Sequence, residues 1–80
     1  MTQQQILTQL TNVFREVFQD DDLAITPATT AEDVSGWDSA AHINLMLAVE
    51  ARLGIVFNTS EIDDMRTVGD LATAIERKLN

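Results

Sequence analysis

Ser39 stands where a polar, turn-prone run closes on Gly36-Trp37-Asp38 and a strongly apolar helical pattern opens. Asp38 is an N-cap by type, because its carboxylate can accept the free backbone N–H groups of a first helical turn. Ser39 is then the first helical residue, at the positive end of the helix dipole. A phosphate on its hydroxyl would lie beside unpaired N–H groups that favour anions. The position is suited to a serine that carries a phosphoester. His42, the chain's one histidine, follows three residues later and shares a helix face with Ser39. Asp38, Ser39 and His42 therefore also invite a hydrolase reading. A triad needs a base oriented by a third group and an oxyanion hole. No glycine-rich nucleophile elbow surrounds Ser39, and the hydrolase reading is set aside. His42 is expected at the surface, beside the phosphate or a partner.

The elements that position these residues follow from periodicity and caps. Thr2 with Gln5 makes a capping-box pattern, which starts a helix near Gln3. Ile6, Leu7, Leu10, Val13, Phe14, Val17 and Phe18 then form one wide apolar stripe. Asp20-Asp21-Asp22 ends it. The spacing fails for a calcium loop, with no glycine at the sixth position and no ligand at the fifth. Residues 20–37 form a long connection, which Leu23, Ile25 and Val34 are expected to pin to the core. Trp37, the only tryptophan, is expected to anchor this loop against the bundle, with a direct role at the Ser39 site as the alternative. The second helix spans Ser39 to Leu53, with Gly54 as its left-handed stop. The unbroken apolar run from Leu45 to Val49 predicts that it is covered on more than one face and is the central helix. Ile55-Val56-Phe57 resembles a strand with no partner, and reads as a connector entering the core. Ser60 with Asp63 predicts a short helix over Glu61 to Met65. Thr67 with Asp70 predicts the cap of the last helix, striped by Val68, Leu71, Ala72, Ile75 and Leu79. Met46 and Met65 read as core filler. The expected fold is all-α, an irregular four-helix bundle of three main helices plus one short helix, with a long first loop.

Composition narrows the function. Eighty residues predict one domain, 1–80, which buries only about 60% of its unfolded surface. A net charge of −8, from 13 acidic and 5 basic residues, repels nucleic-acid phosphates and favours partners with basic patches. The chain has no cysteine, which excludes disulfides and thiolate metal sites. No apolar run approaches the roughly 20 residues of a membrane span. Without a signal-peptide pattern, a cytoplasmic, monomeric protein is expected.

Trp37-Asp38-Ser39, followed by an apolar helix ending Ala48-Val49-Glu50-Ala51-Arg52-Leu53-Gly54, resembles the phosphopantetheine-attachment motif of acyl and peptidyl carrier proteins. The likeness extends to the long loop before Asp38, the acidic Glu61-Ile62-Asp63-Asp64 segment and the closing Thr67-Val68-Gly69-Asp70-Leu71. It departs at Ala40, where the family usually has leucine.

The resemblance implies a carrier and not an enzyme. It implies 4'-phosphopantetheine, from coenzyme A, on Ser39, with Asp38, Trp37 and His42 around it. The arm's thiol would hold an acyl or aminoacyl thioester. The implied partners are a phosphopantetheinyl transferase and ligase, synthase or transferase enzymes with basic docking patches. They would meet Asp38, Ala40, Glu50, Glu61, Asp63 and Asp64. Asn44, where acidic residues are common in fatty-acid carriers, and the charge of Arg52 point to a specialised lipid, polyketide or aminoacyl pathway. The alternative is a helical interaction module of the same fold that is never modified.

Overall fold

In the computed structural model, which describes residues 1–79, the chain forms α1 (Gln3–Phe18), a single 3-10 turn (Ala31–Asp33), α2 (Ser39–Leu53), α3 (Thr59–Asp64) and α4 (Val68–Leu79). The all-α expectation holds, with three long helices and one short one.

Each boundary has a local cause. Thr2 and Gln5 close the capping box of α1: the Gln5 N–H donates to Thr2 Oγ1 at 3.1 Å, and the Thr2 N–H to Gln5 Oε1 at 2.8 Å. Gln19 ends α1 in a left-handed conformation, φ 53°. Beyond it Asp20, Asp21 and Asp22 are exposed, a solvated helix end. Asp38 and Gly54 bound α2 as expected, Gly54 at φ 68°. The short helix differs. Asn58 caps it, exchanging two hydrogen bonds with Glu61 at 2.8 and 3.0 Å, so α3 begins two residues before the predicted start and Ser60 lies inside it. Phe57, buried at 6% exposure, must precede the turn, and Asn58 is the first polar residue after it.

The core gathers Ile6, Leu10, Val13 and Phe14 of α1, Leu45, Met46 and Val49 of α2, and Val68, Leu71, Ala72 and Ile75 of α4, closed by Ile55 and Phe57. The connector alternates as an extended chain would, with Val56 76% exposed between two buried neighbours. One expectation is corrected. The central helix is α1, which packs against both α2 and α4. On α2, Ile43 and Leu47 are 50% and 57% exposed, so its apolar run covers a core face and an open one.

The long loop is fastened in three places. Val34 is buried, and Leu23 and Ile25 pack partly on the core, as expected. Arg15 Nε donates to the Leu23 carbonyl at 2.8 Å. The third fastening was not foreseen. The first turn of α4 has N–H groups with no helical acceptor, and the loop supplies acceptors: Val68 N–H to the Thr29 carbonyl at 2.9 Å and Gly69 N–H to the Pro27 carbonyl at 2.8 Å. Asp70 N–H bonds Thr67 Oγ1 at 3.1 Å, which is the predicted cap.

Gly69 is therefore a packing glycine. A Cβ built there would lie 2.9 Å from the Pro27 carbonyl oxygen, a backbone atom that cannot swing aside. Gly69→Ala is expected to destabilise by about 1–2 kcal/mol, although alanine is the better helix former. A urea midpoint at or above the parent's would contradict this.

Candidate functional site

Gly36 sets the entry to the site. Its φ of 89° lies in a region open to glycine and strained for other residues. The turn it makes, with Asp38 N–H bonded to the Gly36 carbonyl at 3.0 Å, places Trp37, Asp38 and Ser39 in succession at the head of α2. Asp38 Oδ1 accepts the Ala41 N–H at 2.9 Å, and its carbonyl accepts the His42 N–H at 2.8 Å. Ser39 is exposed at the first position of a helix of 15 residues. The N–H groups of Ser39 and Ala40, both exposed residues, belong to the first turn and have no intrahelical acceptor.

Trp37 turns inward. Its ring meets Phe14 edge-on at 5.2 Å and 83°, lies 6.3 Å from Phe18, and stacks on His42 at 5.9 Å and 24°. The expected anchor role is correct, and the ring also lines the site. His42 departs from expectation: it is half-buried and bonded at both ring nitrogens. Trp37 Nε1 donates to His42 Nδ1 at 3.1 Å, and His42 Nε2 lies 3.2 Å from the Ile62 carbonyl. An indole N–H only donates and a carbonyl only accepts, so the two contacts are met with Nδ1 accepting and Nε2 donating. Neither nitrogen is left to activate Ser39, which removes the geometric basis of a serine–histidine hydrolase. The histidine is instead a strut joining loop, α2 and α3.

His42→Ala is expected to cost about 1–3 kcal/mol, since it orphans the Trp37 N–H and leaves the Ile62 carbonyl only the Met65 N–H, at 3.3 Å. Trp37 fluorescence should shift to the red as water reaches the indole. An unchanged emission maximum and unfolding midpoint would refute the strut.

Between the start of α2 and the segment Ile62–Arg66 runs an open groove of about 490 Å³, lined by Trp37, Asp38, Ser39, His42, Ile43, Ile62, Asp63, Met65 and Arg66, with Ala31 at its edge. It joins Ser39 and all three residues proposed from sequence around it with a segment more than twenty positions beyond the serine. Met65 is half-buried here, whereas Met46 is in the core.

The acidic residues separate into two kinds. Asp38 caps α2. Glu50 Oε2 accepts the Phe57 N–H at 2.7 Å. Glu61 caps α3 and pairs with Lys78 Nζ at 2.9 Å. The Asn58 N–H, and then Lys78, hold the Glu61 carboxyl below the usual carboxylate range. A lowered value in the folded state means this stabilisation is complete above the ordinary glutamate pKa and is lost as pH falls through the lowered one. Asp63 and Asp64 are exposed and enter no ion pair among the described residues. Ala40 is exposed beside Ser39. Arg52 leans towards α1, its guanidinium on Glu16 at 3.1 Å and Gln9 at 3.0 Å, so its charge is spent on the scaffold.

The site has clear counterparts. A family model described as the phosphopantetheine attachment site matches residues 8–75. The chain is 34% identical over 73 residues to the acyl carrier protein MbtL of Mycobacterium bovis, covering 91% of this chain and 87% of that one. It is 26% identical over 77 residues to the meromycolate extension acyl carrier protein of Mycobacterium leprae, covering 96% of this chain and 67% of that one. Its fold superposes on the solution structure of a holo acyl carrier protein from Geobacter metallireducens with a TM-score of 0.86 and 41% identity, covering 91% and 84% of the two chains.

Proposed function

The chain belongs to the phosphopantetheine-attachment family as an acyl carrier protein, a substrate carrier and not a catalyst, and from that premise we propose that Ser39 is the residue that carries the 4'-phosphopantetheine arm. The observation behind this reading is the placement of one exposed hydroxyl, unbonded among the described residues, at the head of α2, on the rim of the α2–α3 groove. When bound, the arm supplies a thiol, which this cysteine-free chain lacks, and holds an acyl group as a thioester.

The chain's own residues perform the rest. Ser39 Oγ attacks the pantetheine-side phosphorus of coenzyme A, assisted by a transferase. An Oγ–P bond forms, the pyrophosphate P–O bond breaks, adenosine bisphosphate leaves, and the serine proton passes to a base of the transferase. Asp38 fixes the helix start so that the hydroxyl projects outward. Trp37 and His42 hold the groove wall. The first-turn N–H groups that lack a helical acceptor would favour the ester oxygens of the arm.

Partner enzymes, in this proposal, read the open face of α2 and the acidic end of α3. Ala40, Ile43 and Leu47 offer an apolar strip, and Asp63 and Asp64 are the acidic groups left uncommitted. Asp38, Glu50 and Glu61 serve docking only through whatever acceptor capacity remains after their internal bonds. No residue from Ser39 to Val49 carries a formal charge, so the α2 part of the docking face is neutral in a chain of this acidity. That neutrality, with the relatives MbtL and the meromycolate extension carrier, supports service in a specialised acyl pathway. No described helix is long and apolar enough to cross a bilayer.

The test is intact mass after incubation with coenzyme A, magnesium and a phosphopantetheinyl transferase. Gain of one phosphopantetheine is the expected result. Failure with the native transferase, under conditions that modify a control carrier, would favour the unmodified interaction module.

A further inference from the structure

Arg66 is the one basic side chain lining the groove beside Ser39. Its backbone is fixed, since its N–H donates to Asp70 Oδ2 at 3.1 Å in the cap of α4. Its guanidinium, by contrast, enters no ion pair among the described residues, where the pairs are Arg52–Glu16 and Lys78–Glu61. Two carboxylates share its groove. Asp38 is engaged with the Ala41 N–H, and Asp63 points no charge-assisted bond at Arg66. The groove therefore holds a cation uncommitted to the scaffold, in the same lining as a serine that the proposal above esterifies.

We propose that Arg66 is a positioning residue for the arm, and that its guanidinium contacts the phosphodiester on Ser39. The proposal rests on the assignment of the arm to Ser39. An esterified Ser39 places a negative phosphate at the edge of a chain of net charge −8, with Asp38 and Asp63 on the same groove. Repulsion from those carboxylates drives the phosphate outward. Two features draw it in: the free N–H groups at the start of α2, and Arg66 in the groove lining. A guanidinium suits this task, since its planar fork matches two phosphate oxygens at once. Held by both, the phosphate directs the arm along the groove towards the α3–α4 junction instead of into solvent.

The contact is solvent-exposed, so its effect is moderate and salt-sensitive. The experiment uses labelled protein before and after transfer of the arm, with no cargo on the thiol, so that the only new anion is the phosphodiester. Intact mass is recorded on every sample. In the parent, attachment of the arm is expected to shift the Arg66 Nε–Hε resonance. Arg66→Gln should move the phosphorus-31 resonance towards that of a free phosphodiester and lower the population of held arm roughly threefold, the scale of an exposed charge pair. Sodium chloride should reproduce that shift in the parent and have little effect in Arg66→Gln. Arg66→Lys should restore part of it, because lysine brings the charge without the fork.

A parent that gains the arm by mass with no shift of its Arg66 Nε–Hε resonance, and whose phosphorus resonance is indifferent to Arg66→Gln and to salt, overturns the contact and leaves the Ser39 assignment standing. A parent that gains no arm, or gains it elsewhere than Ser39, overturns both.

Discussion

Ser39→Ala is expected to abolish phosphopantetheine loading completely while leaving the unfolding free energy within about 0.5 kcal/mol of the parent. The two halves of this expectation come from the same geometry. The Ser39 hydroxyl is exposed and makes no hydrogen bond among the described residues, so its loss orphans no partner there. Alanine at a first helical position has, if anything, the better intrinsic propensity. Chemistry, however, has no second outlet. The other serines are Ser35, in the loop, and Ser60, inside a helix of six residues. Both are exposed, and neither lines the groove or opens a long helix. They make the variant a sharp test, because mere hydroxyl accessibility would leave two sites available. Intact mass and a urea titration on one preparation decide it. An adduct on Ser39→Ala would move the arm to another side chain. A large loss of stability would mean that Ser39 is part of the scaffold and that missing adduct reflects unfolding.

Much of this site is written locally. Asp38 and Gly54 are cap residues by chemistry, and the helix between them needs nothing else to declare its ends. The stripe on α1 is equally plain. What local pattern does not carry is competition between equivalent signals and contact across sequence distance. Ser60 with Asp63 and Asn58 with Glu61 are both three-residue cap spacings. Burial of Phe57 and the pairing of Glu61 with Lys78 of α4 select the second. The run from Leu45 to Val49 reads as uniformly apolar, yet Leu47 faces outward because α1 packs on one side of α2 only. His42 resembles a free surface base in sequence, since nothing there shows that Ile62, twenty residues later, presents a carbonyl to its far nitrogen. Arg66 escapes sequence reading for the same reason. Its relation to Ser39 exists only after α3 folds back beside α2.

The largest expected effect on stability lies away from the groove, at Phe14. Its side chain is fully buried, in the helix that packs against both α2 and α4. Its ring meets Phe18 at 5.8 Å and Trp37 edge-on at 5.2 Å. Phe14→Ala removes the transfer free energy of the ring and leaves a cavity that helices on two sides cannot both close, a loss of about 3–5 kcal/mol. Small domains have little reserve, since total stability is typically only about 5–15 kcal/mol and a chain of this size sits at the lower end. The variant should therefore unfold at much lower urea, with weakened near-ultraviolet dichroism. Because Trp37 loses its edge-on partner, its emission should redden before global unfolding. Val56→Ala is the control. Val56 is apolar too but 76% exposed, and its truncation should change stability by less than about 0.5 kcal/mol. Similar losses in the two variants would show that hydrophobicity at a position, and not its burial against α1, governs this fold. A loss below about 1 kcal/mol at Phe14 would sever the link from the core through Trp37 to the serine, and the groove would then owe its shape to α2 and α3 alone.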